Sequence, residues 1–501
     1  MTRRDWIVAA AACAGCRAGK RHSSQLVLSL AEDRGEVDPA KAIAQDWTPL
    51  AQVYETLVVR RMDGSIGPCL ATSWWRIDDV TWEFELRPGV VFHDGSALDA
   101  RSAAESVTRA ASTRASGQEV DLASVDTPGS RTLRIATVRP FAPLLDFLAY
   151  INFSIVSRQR HGTGPFRMRS YRREDQATVV RNERYWGPKP PFPELLFHFI
   201  PDAQTRLLAL EAGELDALRA VPTADLPRLK RTPSLTVTSG PGRHTHFLGF
   251  NMSWSPWRSE FLDPRFRQAF NSTVNRKEIL RLFEGIGEEA ASAVPPWMPS
   301  VVKLPPYHHD LRAAGELLDA CGWLRNEGAR FKHGKRLELR FVYHPTWMPQ
   351  SQAMAELLQA QCARVGIGLS LHPADWPAAN AAEREGQADL RHRGLTFAVG
   401  GTYFALWTAF SSTRTPRASI HCQDERIDAL LRSSESAPDP SQYLAEVQSR
   451  VYQQHACVPL LYEHELFASR RDLDGFPSPH PYIYPLDLSQ TRRNHAYATP
   501  A

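Results

Sequence analysis

The sequence predicts a mixed α/β protein with more than one domain, and three observations carry this. The chain has 501 residues, enough for two or three ordinary cores. Segments of period two alternate with helix-like segments along most of its length. Its 37 prolines are too many for a helical bundle and suit strands joined by many loops.

The clearest element covers residues 81–95. Trp82, Phe84 and Leu86 alternate with Glu83, Glu85 and Arg87, which puts the apolar three on one face of a half-buried strand. Pro88-Gly89 predicts a turn, residues 90–92 a short return strand, and Asp94-Gly95 a second turn. Asp99 is the expected N-cap of a helix over 101–110.

In chain order, residues 1–23 read as a targeting segment and tether. Arg3-Arg4 is basic, 6–14 is apolar, and Ala14-Gly15-Cys16 places small residues before a cysteine. The first pattern resembles a twin-arginine signal and the second a lipobox, so export is expected, with Cys16 as the lipidation site. Residues 25–30 form an opening strand and 47–59 a helix, and a second meander covers 132–138. Gly162-Thr163-Gly164-Pro165 lacks the Lys-Ser/Thr ending of a P-loop and opens no helix, so it serves backbone geometry. Strands follow at 167–169 and 195–200. A helix over 203–212 is capped by Asp202 and stopped by Gly213, and Ser239-Gly240-Pro241-Gly242 suggests a crossover. From Phe247 a second α/β set begins. Its helices are at 265–269, 277–284, 310–321 and 350–365, and its strands at 337–343 and 368–372.

Composition narrows the function. With 59 basic against 55 acidic residues the net charge is +4, too balanced over this length for nucleic acid. No stretch approaches the ~20 apolar residues of a membrane span. The cysteines form no Cys-x-x-Cys pair, and the chain is too large to need disulfide staples, so mostly buried free thiols are expected. No Gly-x-Ser-x-Gly elbow or His-Glu-x-x-His appears. His308-His309 and His244-x-His246 lie in polar, loop-like sequence and read as solvated histidines. Nucleophile, base and orienter never occur together, so an enzyme is not expected, and neither is a cofactor.

Seven segments, in order, carry a resemblance. They are residues 53–57, 70–74, 81–95, 162–166, 181–187, 247–251 and 263–270, the last reading Asp263-Pro264-Arg265-Phe266-Arg267-Gln268-Ala269-Phe270. The chain resembles the family 5 extracytoplasmic solute-binding proteins, the peptide- and nickel-binding receptors of ABC importers. The resemblance implies a two-lobed periplasmic-binding-protein fold of type II with an extra inserted subdomain in lobe one. Lobe one is expected at 24–243, with the insert at 60–160, lobe two at 247–468, and a C-terminal return to lobe one at 472–501. It also implies a monomer, periplasmic or held at the outer face of the cytoplasmic membrane. That monomer passes a small solute to a permease and ATPase complex.

Peptide-binding members carry an Asp in a Trp-x-x-Asp-Tyr-x-Asp-Pro segment that pairs with the peptide ammonium. The matching stretch here, 396–404, holds no carboxylate, and a buried ammonium without a counter-charge is costly. The nickel-binding branch is the closer match over 175–215 and 350–490. By position it implies Tyr403 as a pocket tyrosine, His421 as a ligand to a nickel chelate, and Arg114 as a carboxylate-binding arginine. Trp47 and Tyr482 fall at lobe-one pocket positions. Imidazole suits Ni(II). The implied solute is a nickel or other metal chelate, or a peptide-like anion. A di- or oligopeptide receptor, or an exported sensor with a degenerate cleft, is the alternative.

Overall fold

The computed structural model describes residues 24–33, 35–42, 48–113, 120–396, 401–412, 422–480 and 487–494. Strand β1 (Gln25–Leu30) is buried from Leu26 onward, as suits a strand flanked on both sides. A short helix, Thr48–Val53, occupies part of the helix expected at 47–59.

A subdomain follows. It contains β2 (Ala71–Arg76), β3 (Thr81–Leu86), α1 (Ala100–Thr113), β4 (Leu122–Asp126), β5 (Thr132–Thr137) and α2 (Leu144–Leu148). Its antiparallel sheet runs β2-β3-β5-β4. Phe84 and Leu86 are fully buried, as their alternation requires. The return strand expected at 90–92 is reduced to one bridge, Val91 to Ala97. Both edges of β3 are already taken, by β2 and β5, so residues 90–92 have no ladder to join. Asp99 caps α1, accepting from the Ser102 amide at 2.8 Å.

Next come β6 (Phe166–Arg172), β7 (Gln176–Arg181), β8 (Glu194–Phe199), α3 (Ala203–Glu211), β9 (Ala217–Leu218) and β10 (Leu235–Phe250). Asp202 caps α3 through the Thr205 amide, and Gly213 follows with φ +74°. The second set includes β11 (Glu338–Tyr343), β12 (Gly368–Pro373), β13 (Leu390–Thr396), α4 (Gly401–Phe410), α5 (Glu425–Ser436), α6 (Ser441–Gln453) and β14 (Cys457–Arg470).

Among the described residues one sheet of eleven strands runs through both halves. Its order is β12-β11-β13-β10-β14-β9-β1-β8-β7-β6, with Glu288–Glu289 added on β14. Pairing is parallel for β1 with β8 and β9, and for β11 with β12 and β13. The halves are joined by β10 and β14, which pair antiparallel from Leu235–Arg470 to Gly249–Cys457. Their register breaks between Pro241 and Thr245, opposite Tyr462–His464. Pro241 has no amide to give the ladder. A Cβ on Gly240 or Gly242 would meet a carbonyl oxygen at 2.6 or 2.5 Å. The 239–242 motif is therefore an irregularity inside a through-running strand.

The largest apolar cluster joins Phe84, Leu144 and Phe147 of the subdomain to Phe247, Phe341, Leu406 and Leu461 of the second set. Cys69, Cys321, Cys362, Cys422 and Cys457 are all unpaired, and four of these five are buried. No helix of the described residues is long and apolar enough to cross a membrane.

Candidate functional site

Helix α4 presents the first candidate side chain, Tyr403, at the seam between the subdomain and the second set. The helix begins at Gly401, whose φ of +62° suits glycine. The Asp146 carboxylate stands 3.0–3.2 Å from where a Gly401 Cβ would lie. Ala405, Leu406, Ala409 and Phe410 bury the inner side of the helix. Tyr403 is 3% exposed, with its ring stacked on Trp407 one turn on, at 6.3 Å and 14°. Its hydroxyl donates to the carboxylate of Glu435 on α5.

The opposing wall belongs to residues 139–153. Phe141 meets Tyr403 edge-on at 6.0 Å, and Phe147 meets Phe404 likewise at 5.7 Å. Phe404 also packs against a small cluster of Ala42, Leu50, Ala51, Tyr150 and Ile151. Asn152 fastens the floor of this cluster, donating to the carbonyls of Pro39, Ala40 and Ala42 at 3.0–3.2 Å. The Arg139 guanidinium pairs with Glu435, and the Ala142 amide donates to the Glu435 carbonyl at 2.6 Å. Arg60 pairs with Asp146. The seam is thus aromatic, with one ion pair, Arg139–Glu435, crossing it and another, Arg60–Asp146, on the subdomain side.

The other candidates, Trp47, Arg114, His421 and Tyr482, lie outside the described residues, as does Cys16. Arg109, on α1, is committed to Asp38, giving Nη1 to both carboxylate oxygens at 2.8 Å, and Arg160 adds a second contact at 3.1 Å. Burial alone would raise the Asp38 carboxyl, but Arg109 outweighs it and holds the group below its ordinary range.

The histidines divide. His308 and His309 are exposed outside any helix or strand, as expected. His244 and His246 are not in a loop but in β10, and His246 is 1% exposed. Its Nδ1 lies 3.2 Å from His392 Nε2 on β13, and Trp347 covers both rings at 4.9 and 4.8 Å. Burial pushes His392 well below its ordinary 6.5, and His246, Arg391 and His344 act in the same direction. Polar neighbours in sequence concealed a buried strand because its partners come from elsewhere in the chain. Among the described residues no three His, Cys, Asp or Glu side chains converge as a metal site.

A second, largely enclosed carboxylate escaped the sequence reading. Glu55 accepts from Trp186 Nε1 at 2.9 Å, Thr163 Oγ1 at 2.8 Å and Tyr185 Oη at 2.9 Å. Arg87 lies over the Trp186 ring at 4.1 Å. The knot gathers four separate motifs, 53–57, 81–95, 162–166 and 181–187. A Cβ at Gly162 would meet the Val53 oxygen at 2.1 Å, and one at Gly164 the Gln52 oxygen at 2.6 Å. These glycines permit two backbones to touch and hold no phosphate-type cradle.

The profile of bacterial extracellular solute-binding proteins, family 5 (middle region), matches residues 65–417. The chain is a family 5 solute-binding protein. This places it in the receptor class of ABC importers and makes the continuous sheet that of a two-lobed fold. The receptor is 27% identical to the nickel-binding periplasmic protein of Escherichia coli K12, over 95% of this chain and 96% of that one. It is 26% identical to the probable D,D-dipeptide-binding periplasmic protein of the same strain, over 90% and 91%. Among solved structures, NikA of Brucella suis in complex with Fe(III)-EDTA superposes with a TM-score of 0.83 at 22% identity, over 94% and 100% of the two chains. DppA of Helicobacter pylori in complex with the peptide STSA gives 0.74 at 21%, over 94% and 98%.

Proposed function

We propose that this receptor captures a compact metal chelate, nickel being the first choice, or a peptide-like anion between its lobes and hands it to a permease and ATPase complex. Capture involves no bond making, the working form is a monomer, and residues 1–23 direct export, with Cys16 carrying lipid. The hinge of this reading is the register break at Pro241–Thr245. In this reading the second crossing lies opposite it, at Tyr462–His464.

The observation that carries the ligand reading is the aromatic seam. Helix α4 offers Tyr403, Phe404 and Trp407 and contains no acid. The acid beside Tyr403, Glu435, already holds a guanidinium. A peptide ammonium therefore finds no open counter-charge there, whereas rings of a chelator can meet the partly exposed Phe404 and Trp407. His421, by its place after this segment, would complete a chelate's coordination.

Calorimetry on protein stripped of co-purified solute tests this. A Ni(II)–histidine complex binds the wild type. His421→Ala weakens binding by on the order of 10–100-fold, by analogy with metal-site perturbations. Tyr403→Ala also weakens it, and His308→Ala does not. Tight binding of a free dipeptide with no response to the complex returns the protein to the peptide branch, and silence toward both favours the sensor.

A further inference from the structure

The seam shows the lobes held together by the chain's own side chains. Residues 139–147 form a strap from the lobe-one subdomain that grips α4 and α5 at several points. Arg139 reaches the Glu435 carboxylate. The Ala142 amide donates to the Glu435 carbonyl at 2.6 Å. Phe141 and Phe147 set their edges against Tyr403 and Phe404. Asp146 stands over Gly401 at the start of α4, with Arg60 behind it.

Three features distinguish this from ordinary packing. The strap carries Pro140 and Pro143, which limit its backbone freedom so that docking orders little. Glu435 is 5% exposed, yet its cation, Arg139, has a side chain 58% exposed. A buried carboxylate whose counter-ion arrives from the opposite lobe on a half-solvated side chain is paired only while the lobes meet. Finally, Glu435 accepts the Tyr403 hydroxyl as well, so the same carboxylate holds both the strap and the aromatic wall.

We infer that Arg139, Glu435 and Tyr403 form an interlobe clasp that holds the receptor closed before any solute arrives. The clasp sets the open–closed equilibrium on which capture draws, because a solute's apparent affinity scales with the fraction of receptor able to admit or retain it. It commits the Tyr403 hydroxyl to the protein, and Trp407 and Phe141 hold the ring in place beside it. The inference rests on the two-lobed reading but not on the identity of the solute.

Small-angle scattering on the stripped full chain, without ligand, tests it. The wild type gives the smaller radius of gyration. Arg139→Ala raises it, and Arg139→Asp, which sets a like charge against Glu435, raises it further. Arg101→Ala leaves it unchanged, since that side chain is exposed and its ion pair among the described residues is with Glu105 on its own helix. Arg139 is half exposed, so its variants fold, and thermal scans confirm this. Glu435→Gln adds a second arm from the opposite lobe. Scattering curves for both Arg139 variants that superpose on the wild-type curve overturn the clasp. Because no ligand is present, failure of the chelate reading leaves this result standing, and failure here leaves that reading untouched.

Discussion

Glu55, largely enclosed, and Glu435, buried, are both carboxylates that accept a tyrosine hydroxyl, yet they do opposite work. Glu55 takes three neutral donors, from Thr163, Tyr185 and Trp186. Burial therefore raises its carboxyl above the ordinary range, and the three donors offset this only in part. Glu435 takes a guanidinium from Arg139, 296 positions away in the chain, on a side chain that water still reaches. A carboxylate satisfied by neutral donors from its own surroundings is a lasting knot, because separating the partners leaves polar groups unpaired in a largely apolar setting. A carboxylate satisfied by a half-exposed cation can be released, because water takes over the cation when the lobes part.

The comparison breaks first at Glu55. Glu55→Ala leaves the donors of Trp186, Thr163 and Tyr185 without an acceptor and opens a hole among four motifs. A loss of about 3 kcal/mol or more is expected in chemical denaturation. Arg139→Ala should shift the same curve far less, within about 1 kcal/mol, since its ion pair is half exposed. Equal losses would erase the distinction between knot and clasp.

An effect smaller than that at Glu55 is expected at Tyr403. Tyr403→Phe keeps the ring and removes one hydrogen bond to a charged acceptor, about 1–2 kcal/mol. The ring contacts with Trp407 and Phe141 stay. Binding of the Ni(II)–histidine complex should therefore survive Tyr403→Phe, unlike Tyr403→Ala. Loss of binding in the Phe variant would assign the hydroxyl to the ligand instead of to Glu435.

The smallest effect is a pH slope. Glu55 has a folded pKa above its ordinary 4.5, so the folded state holds that proton more tightly than the unfolded chain does. Its contribution to stability is fully present below 4.5 and is lost as pH rises through the raised value. The melting-temperature difference between the wild type and Glu55→Gln should move against the wild type across that window and be flat above it. A difference independent of pH would show that Glu55 is not the titrating group.

Much of the fold was legible locally. The alternation at 81–86, the caps at Asp99 and Asp202, and the glycine stop at Gly213 all rest on contacts within a few residues. The return strand at 90–92 failed for a non-local reason, since β2 and β5 had claimed both edges of β3. The buried His246–His392 pair was missed for the same kind of reason, because residue 392 lies 146 positions from its partner. Of the site, the sequence singled out Tyr403 and the absence of an acid around it. It offered no sign of Glu435, which sits in the last turn of α5 among serines.

By itself, then, the sequence determined what period and spacing can encode: the α/β alternation, the ordered motifs that mark the family, and the missing carboxylate at 396–404. Only the tertiary structure decided which charges meet. Arg139 and Glu435 are 296 positions apart, and no local pattern ties them. Their pairing exists because one strap and two helices from different lobes are brought face to face by a sheet that runs through both.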